Sequence, residues 1–264
     1  MQWWIIYLLM GLFVGFFAGL LGIGGGLILV TLMVYLFTLQ GFPADRLLHL
    51  ALGTSITSIV FTSISSLRAH HQHGAVRWDI LRTAVPGLVV GTLLGAVVAD
   101  QLKSKYLAVF FVIFVYYSAV QMFADVKPKP TRQLPGKAGM RVIAIIVGIV
   151  SSLVGIGGGV MTIPFMSLCN VPMRQAIGTS AALGLPIAVA GTVGFIVTGL
   201  GKDHLPALSL GYVYLPALIG IVLGTFVTVP WGAKMAHSMP VTTLKKIFAV
   251  ILFILATRML WSLF

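Results

Sequence analysis

Ten apolar blocks follow one another along this chain, at roughly 3–21, 27–39, 48–67, 80–99, 104–123, 142–154, 160–169, 175–200, 208–230 and 242–263. Several approach the ~20 residues that carry a helix across a bilayer. Inside lipid a segment must satisfy its own backbone as helix or close into a barrel, and the short alternating strands of a barrel are missing. Each block is therefore expected to be helical, and the chain to be an all-α polytopic membrane protein. Charge is scarce to match: 8% of the 264 residues, against about 25% in soluble domains.

The net charge of +12 invites a nucleic-acid reading, but the Lys and Arg residues sit almost wholly between the apolar blocks. That is the placement the positive-inside rule produces, and no nucleic acid is expected as a partner. There is no Glu, and the five acidic residues, Asp45, Asp79, Asp100, Asp125 and Asp203, lie at or near block ends. All five Trp (Trp3, Trp4, Trp78, Trp231, Trp261) also fall at block ends, as in an interfacial aromatic belt. One cysteine, Cys169, excludes an intrachain disulfide. The start, Met1-Gln2-Trp3-Trp4, has no basic stretch before the first block and no small-residue cleavage site after it. The first block is accordingly expected to be a mature span.

Residues 124–141 carry three prolines and five basic residues and divide the chain into a first repeat, 1–123, and a second, 142–264. Gly22-Ile23-Gly24-Gly25-Gly26 recurs as Gly155-Ile156-Gly157-Gly158-Gly159. Gly53-Thr54-Ser55 recurs as Gly178-Thr179-Ser180, and the Gly91/Gly95 pair as Gly220/Gly224. Three motifs in one order point to duplication. Five segments per repeat is odd, so a linker on one side of the membrane gives the second repeat the opposite orientation. With the linker in the cytoplasm, twelve of the 17 basic residues fall inside and both termini outside. Inverted repeats are a recurring transporter architecture with the substrate near the midplane.

The Gly-rich motif separates the first two blocks of each repeat. Block 142–154 reaches only ~20 Å as helix, short of the ~30 Å hydrocarbon core, so a broken or re-entrant helix pair is expected there. In the first repeat the longer block leaves open a turn nearer a surface. Such a turn, built from Gly22, Gly24, Gly25 and Gly26 or from Gly155, Gly157, Gly158 and Gly159, lets backbone approach a ligand. The helix that follows offers unpaired N–H groups and the positive end of its dipole, a ready anion site. The competing reading is that these glycines only allow close helix packing, which is the reading adopted for Gly91, Gly95, Gly220 and Gly224.

Thr54, Ser55, Thr179 and Ser180 offer hydroxyls either to an anion or to the carbonyl four residues back. His49 and Arg174, each four residues before the Gly of Gly-Thr-Ser, are placed to attract or gate an anion from opposite sides, or to snorkel. His70-His71-Gln72-His73 lacks a carboxylate or Cys companion and reads as a charged loop before it reads as a metal site. No nucleophile–base trio, phosphate-binding loop or intramembrane carboxylate is present, so no enzyme activity, metal or other cofactor is expected.

At these residues the chain resembles the sulfite exporter family called TauE/SafE. The resemblance covers nearly the whole length, through the two Gly-Xaa-Gly-Gly-Gly motifs, the basic linker and the Gly-Thr-Ser repeats. The family pattern often has a proline five residues after the last motif glycine. Pro164 meets it in the second repeat, while Thr31 stands there in the first. The resemblance implies an inner-membrane secondary transporter of a small sulfur-containing anion, sulfite first or an organosulfonate, often directed outward. A passive anion channel and a non-transporting scaffold are the alternatives. The expected partners are the anion and membrane lipid, with self-association left open.

Overall fold

The computed structural model describes residues 2–21, 25–124, 132–236 and 241–261. Helices dominate them: α1 (Gln2–Leu21), α2 (Gly26–Leu39), α3 (Leu47–Gln72), α4 (Trp78–Gln101), α5 (Ser104–Ala124), α6 (Lys137–Val154), α7 (Gly159–Leu168), α8 (Met173–Gly199), α9 (Leu215–Ala236) and α10 (Val241–Trp261). A two-stranded antiparallel hairpin, β1 (Ser209–Leu210) and β2 (Val213–Tyr214), precedes α9. Among the described residues six helices, α3, α4, α5, α6, α8 and α9, are long and apolar enough to cross a bilayer.

The boundaries differ from the sequence expectation in three places. Helix α6 begins at Lys137, five residues before the apolar block, so the last residues of the expected linker are helical. Helix α3 runs on to Gln72, which puts His70 and His71 in its last turn rather than in a loop. The block at 208–230 opens as a hairpin, because Gly211 takes φ 55° and turns the chain before α9 can start. Polar helix ends carry too few apolar residues for hydropathy to register them.

Helices α3 and α8 form the centre. In the most apolar stretch of α3, 78% of residues are buried, against 44–50% in the other spanning helices. The two run antiparallel, Gly53 beside Phe195 and Gly184 beside Ser63. Around them α1 lies along α9 and α6 along α4, each pair parallel. A methyl on Gly220 would stand 2.7 Å from the Tyr7 Cβ, and one on Gly224 2.5 Å from the Leu12 N. One on Gly91 would strike the Ile145 carbonyl, and one on Gly95 would stand 2.7 Å from that of Ile149. These four glycines therefore serve close helix packing. Helices α5 and α10 pack together outside, α2 rests on α3, and α7 on α8.

These contacts define two ends. At one, the linker face, the Arg132 N–H donates to the Leu168 carbonyl (3.2 Å) and the α3 terminus meets the start of α8. At the other, the far face, the start of α3 meets the end of α4 and the hairpin. All five Trp side chains are exposed.

Candidate functional site

The second Gly-rich motif is a break between two helices. Gly155 ends α6 in the left-handed conformation (φ 68°), and Gly158 starts α7 in the same region (φ 79°). Side chains rarely adopt that backbone, so the sequence can turn here and immediately start a new helix. Among the described residues no protein acceptor takes the Gly157 or Gly158 N–H. In the first motif, Gly25 (φ 61°) starts α2, while Gly22 and Gly24 lie outside the described residues. The two motifs meet: a methyl on Gly26 would stand 2.6 Å from the Gly155 carbonyl oxygen. Thr31, standing where the second repeat has Pro164, donates its hydroxyl back to the Leu27 carbonyl (2.9 Å).

The Gly-Thr-Ser motifs divide their labour. Gly53 and Gly178 admit neighbouring backbone, Tyr212 and Ala75 respectively. Thr54 then accepts the Tyr214 N–H (3.0 Å), and Thr179 the Arg77 N–H (2.9 Å). Ser55 donates to the Gly155 carbonyl (3.0 Å) and so pins the break itself. Thr162, in the first turn of α7, donates to the Gly158 carbonyl (3.1 Å), which leaves Ser180 to donate to the Thr162 hydroxyl (2.6 Å).

A cavity of about 340 Å³ opens beside this break. Gly157, Gly159 and Ser180 line its deep end, and the walls carry Thr62, Ser63, Ser65 and Ser66 of α3. Ala18 and Gly19 of α1 form another wall, and His70 and Pro230 stand where α3 and α9 approach the linker face. Among the described residues no acidic side chain lines it, and its volume falls in the ~300–1,000 Å³ range of small-molecule sites. The α3 hydroxyls and His70 were missed by the sequence reasoning. Thr62, Ser66 and His70 recur at a spacing of four and so share one helix face, a pattern that does not by itself tell a cavity wall from hydroxyls bonded back into their own helix.

Neither His49 nor Arg174 lines the cavity. Arg174 is exposed at the linker face, where its guanidinium donates to the His73 carbonyl (3.1 Å). His49 is buried toward the far face, with Nε2 2.8 Å from the Ala99 carbonyl, Nδ1 3.2 Å from the Ser104 hydroxyl and its ring on Tyr212. That face is closed by a polar cluster. Tyr212, fully buried, donates to Asp100 (2.7 Å) and accepts from Arg46 (2.9 Å), while Lys202 pairs with Asp100 (2.9 Å). Burial and the neighbouring carboxylate push the Tyr212 phenol well up, so it stays a donor. Among the described residues no group of three or more His, Cys, Asp or Glu side chains could hold a metal ion.

Residues 7–259 match the family described as "Sulfite exporter TauE/SafE". A Haemophilus influenzae protein named "Probable membrane transporter protein" is 37% identical over 257 residues, 97% of either chain. "Probable membrane transporter protein YunE" of Bacillus subtilis is 24% identical over 279 residues, covering 98% of this chain and 97% of its own. No solved structure matches. A helix break at the second of two repeated Gly-rich motifs, beside a cavity with hydroxyls in its walls and set in a bundle of membrane-spanning helices, is thus joined to a sequence match along nearly the entire chain: the protein belongs to the sulfite exporter TauE/SafE family of membrane transporters.

Proposed function

We propose that the chain is a secondary transporter of a small sulfur-containing oxyanion, sulfite first or an organosulfonate, working by alternating access. The observation that carries this reading is a cavity with no acidic side chain among its described lining residues, ending on Gly157 and Gly159 of the helix break, where the Gly157 N–H has no protein acceptor among the described residues. A hydrogen bond to a charged group is worth ~1.5–3 kcal/mol, so a few amides and hydroxyls can replace much of an anion's hydration. The positive end of α7 adds a favourable field. The site residues are Gly157, Gly159, Ser180 and the α3 hydroxyls, with Gly25, Gly26, Thr54, Ser55, Gly155, Gly158 and Thr179 holding them in place. His70 stands at the mouth, where a ring N–H can donate to the entering anion.

The two repeats are inverted in this reading. Supporting it, exchanging the first repeat for the second turns the α1–α9 pair into α6–α4 and maps α3–α8 and α5–α10 onto themselves. With the basic linker face in the cytoplasm, the cavity faces inward and the polar cluster closes the outside, as suits an exporter of a bacterial inner membrane. A proton can travel on the substrate itself. Counterflow of labelled sulfite in proteoliposomes tests the proposal. A carrier shows trans-stimulation; flux without it identifies a channel, and no flux under any gradient removes the transport reading.

A further inference from the structure

Three hydroxyls near the helix break have no hydrogen-bond partner among the described residues although they are buried: Ser151 and Ser152 in the last turn of α6, and Thr92 of α4. Serines in membrane helices commonly donate to the carbonyl a turn back, and these do not. Nor does the fold demand hydroxyls there. Matching the two Gly-rich motifs aligns Ser151 with Ala18 and Ser152 with Gly19, so the same turn of the first repeat is built without them.

Ala18 and Gly19 line the cavity that reaches the linker face. Under repeat exchange, the state open to the other side would be lined by Ser151 and Ser152 in their place. The match of the Gly-Thr-Ser motifs likewise replaces the lining residue Ser66 with Gly191. A methyl on Gly191 would lie 3.3 Å from the Thr92 side chain, and one on Gly95 2.7 Å from the Ser152 Cβ. The orphaned hydroxyls therefore gather where the exchanged cavity would run. By the same exchange, the matched Gly91 and Gly220 place Asp100, of the polar cluster, at the position of the lining residue Val229.

We infer that Ser151, Ser152 and Thr92 line the substrate path in the state open to the far face, where their hydroxyls receive the oxyanion on its way out. This rests on the alternating-access reading above. It assigns the two access paths different chemistry: α3 hydroxyls toward the linker face, and α4 and α6 hydroxyls toward the far face.

The test is sided thiol labelling in membrane vesicles of known orientation, with a membrane-impermeant cationic methanethiosulfonate as the probe. In a Cys169→Ala background, Ser66→Cys reports the linker-side cavity, while Ser151→Cys and Ser152→Cys report the inferred path. Gel filtration shows that each variant is folded. The expected result is modification of Ser66→Cys from the linker side, and of Ser151→Cys or Ser152→Cys from the far side alone. The inference is overturned if Ser66→Cys reacts while both α6 positions are protected from either side, or are reached from the linker side. No substrate enters the assay, so labelling and counterflow can fail separately. Sided labelling without counterflow sinks the sulfur-anion reading and keeps the path; counterflow with protected α6 cysteines does the reverse.

Discussion

Two adjacent glycines of the break have different jobs. A methyl on Gly157 would meet Ile59 at 3.3 Å and Gly184 at 3.7 Å, contacts that small shifts absorb. Gly157→Ala should therefore fold and bring a methyl to the deep end of the cavity, slowing counterflow several-fold; a wild-type rate would take the break out of the binding site. Gly158→Ala is different, since φ is 79° and the new Cβ would lie 2.8 Å from Ile187. Gly74 has a similar φ of 63° with nothing within 4 Å, so Gly74→Ala isolates the backbone cost of ~1–2 kcal/mol. Melting in detergent should show Gly158→Ala losing at most a further ~1 kcal/mol, because the atom it meets is Ile187 Cδ1, the far end of a side chain that can shift to another rotamer. The glycine motifs were legible as a turn because glycine adopts that backbone far more readily than other residues. The α3 hydroxyls were not legible as a site, because a serine bonding back into its own helix and one facing a cavity look alike in sequence.

At the level of elements, the Thr of each Gly-Thr-Ser proves to be an anchor for a loop. Thr54→Val leaves the Tyr214 N–H without its acceptor, and Thr179→Val does the same to Arg77. Each should lower stability by ~1–3 kcal/mol, the usual consequence of an orphaned donor. Anion affinity should move less than stability; a large affinity loss at unchanged melting temperature would return these hydroxyls to the binding site. The helices themselves were readable from apolar runs. Their polar ends, at Lys137 and at His70–Gln72, were not, because a helix continues past the lipid wherever its backbone still finds acceptors. The hairpin at 209–214 hid inside an apolar block, with Gly211 as its one cue.

Across the whole molecule, a cavity opens toward the linker face, and Tyr212 and its partners tie elements together at the far face. Tyr212→Phe removes the bonds to Arg46 and Asp100 while keeping the ring against His49 and Phe195. Hydrogen exchange should then quicken at the amides of the hairpin and the start of α3. Unaltered protection would mean that the apolar packing alone closes this face. The repeats also hold each other, once at each face: a first-repeat threonine fastens the loop before α9 at the far face, and a second-repeat threonine fastens the loop before α4 at the linker face. Each half thus supplies a hydrogen bond on which the other half's loop relies. Fragments 1–128 and 129–264, translated as separate polypeptides, should consequently be unstable when made alone and reconstitute an active carrier when made together. A monodisperse 1–128 fragment on its own would show that each half is self-sufficient.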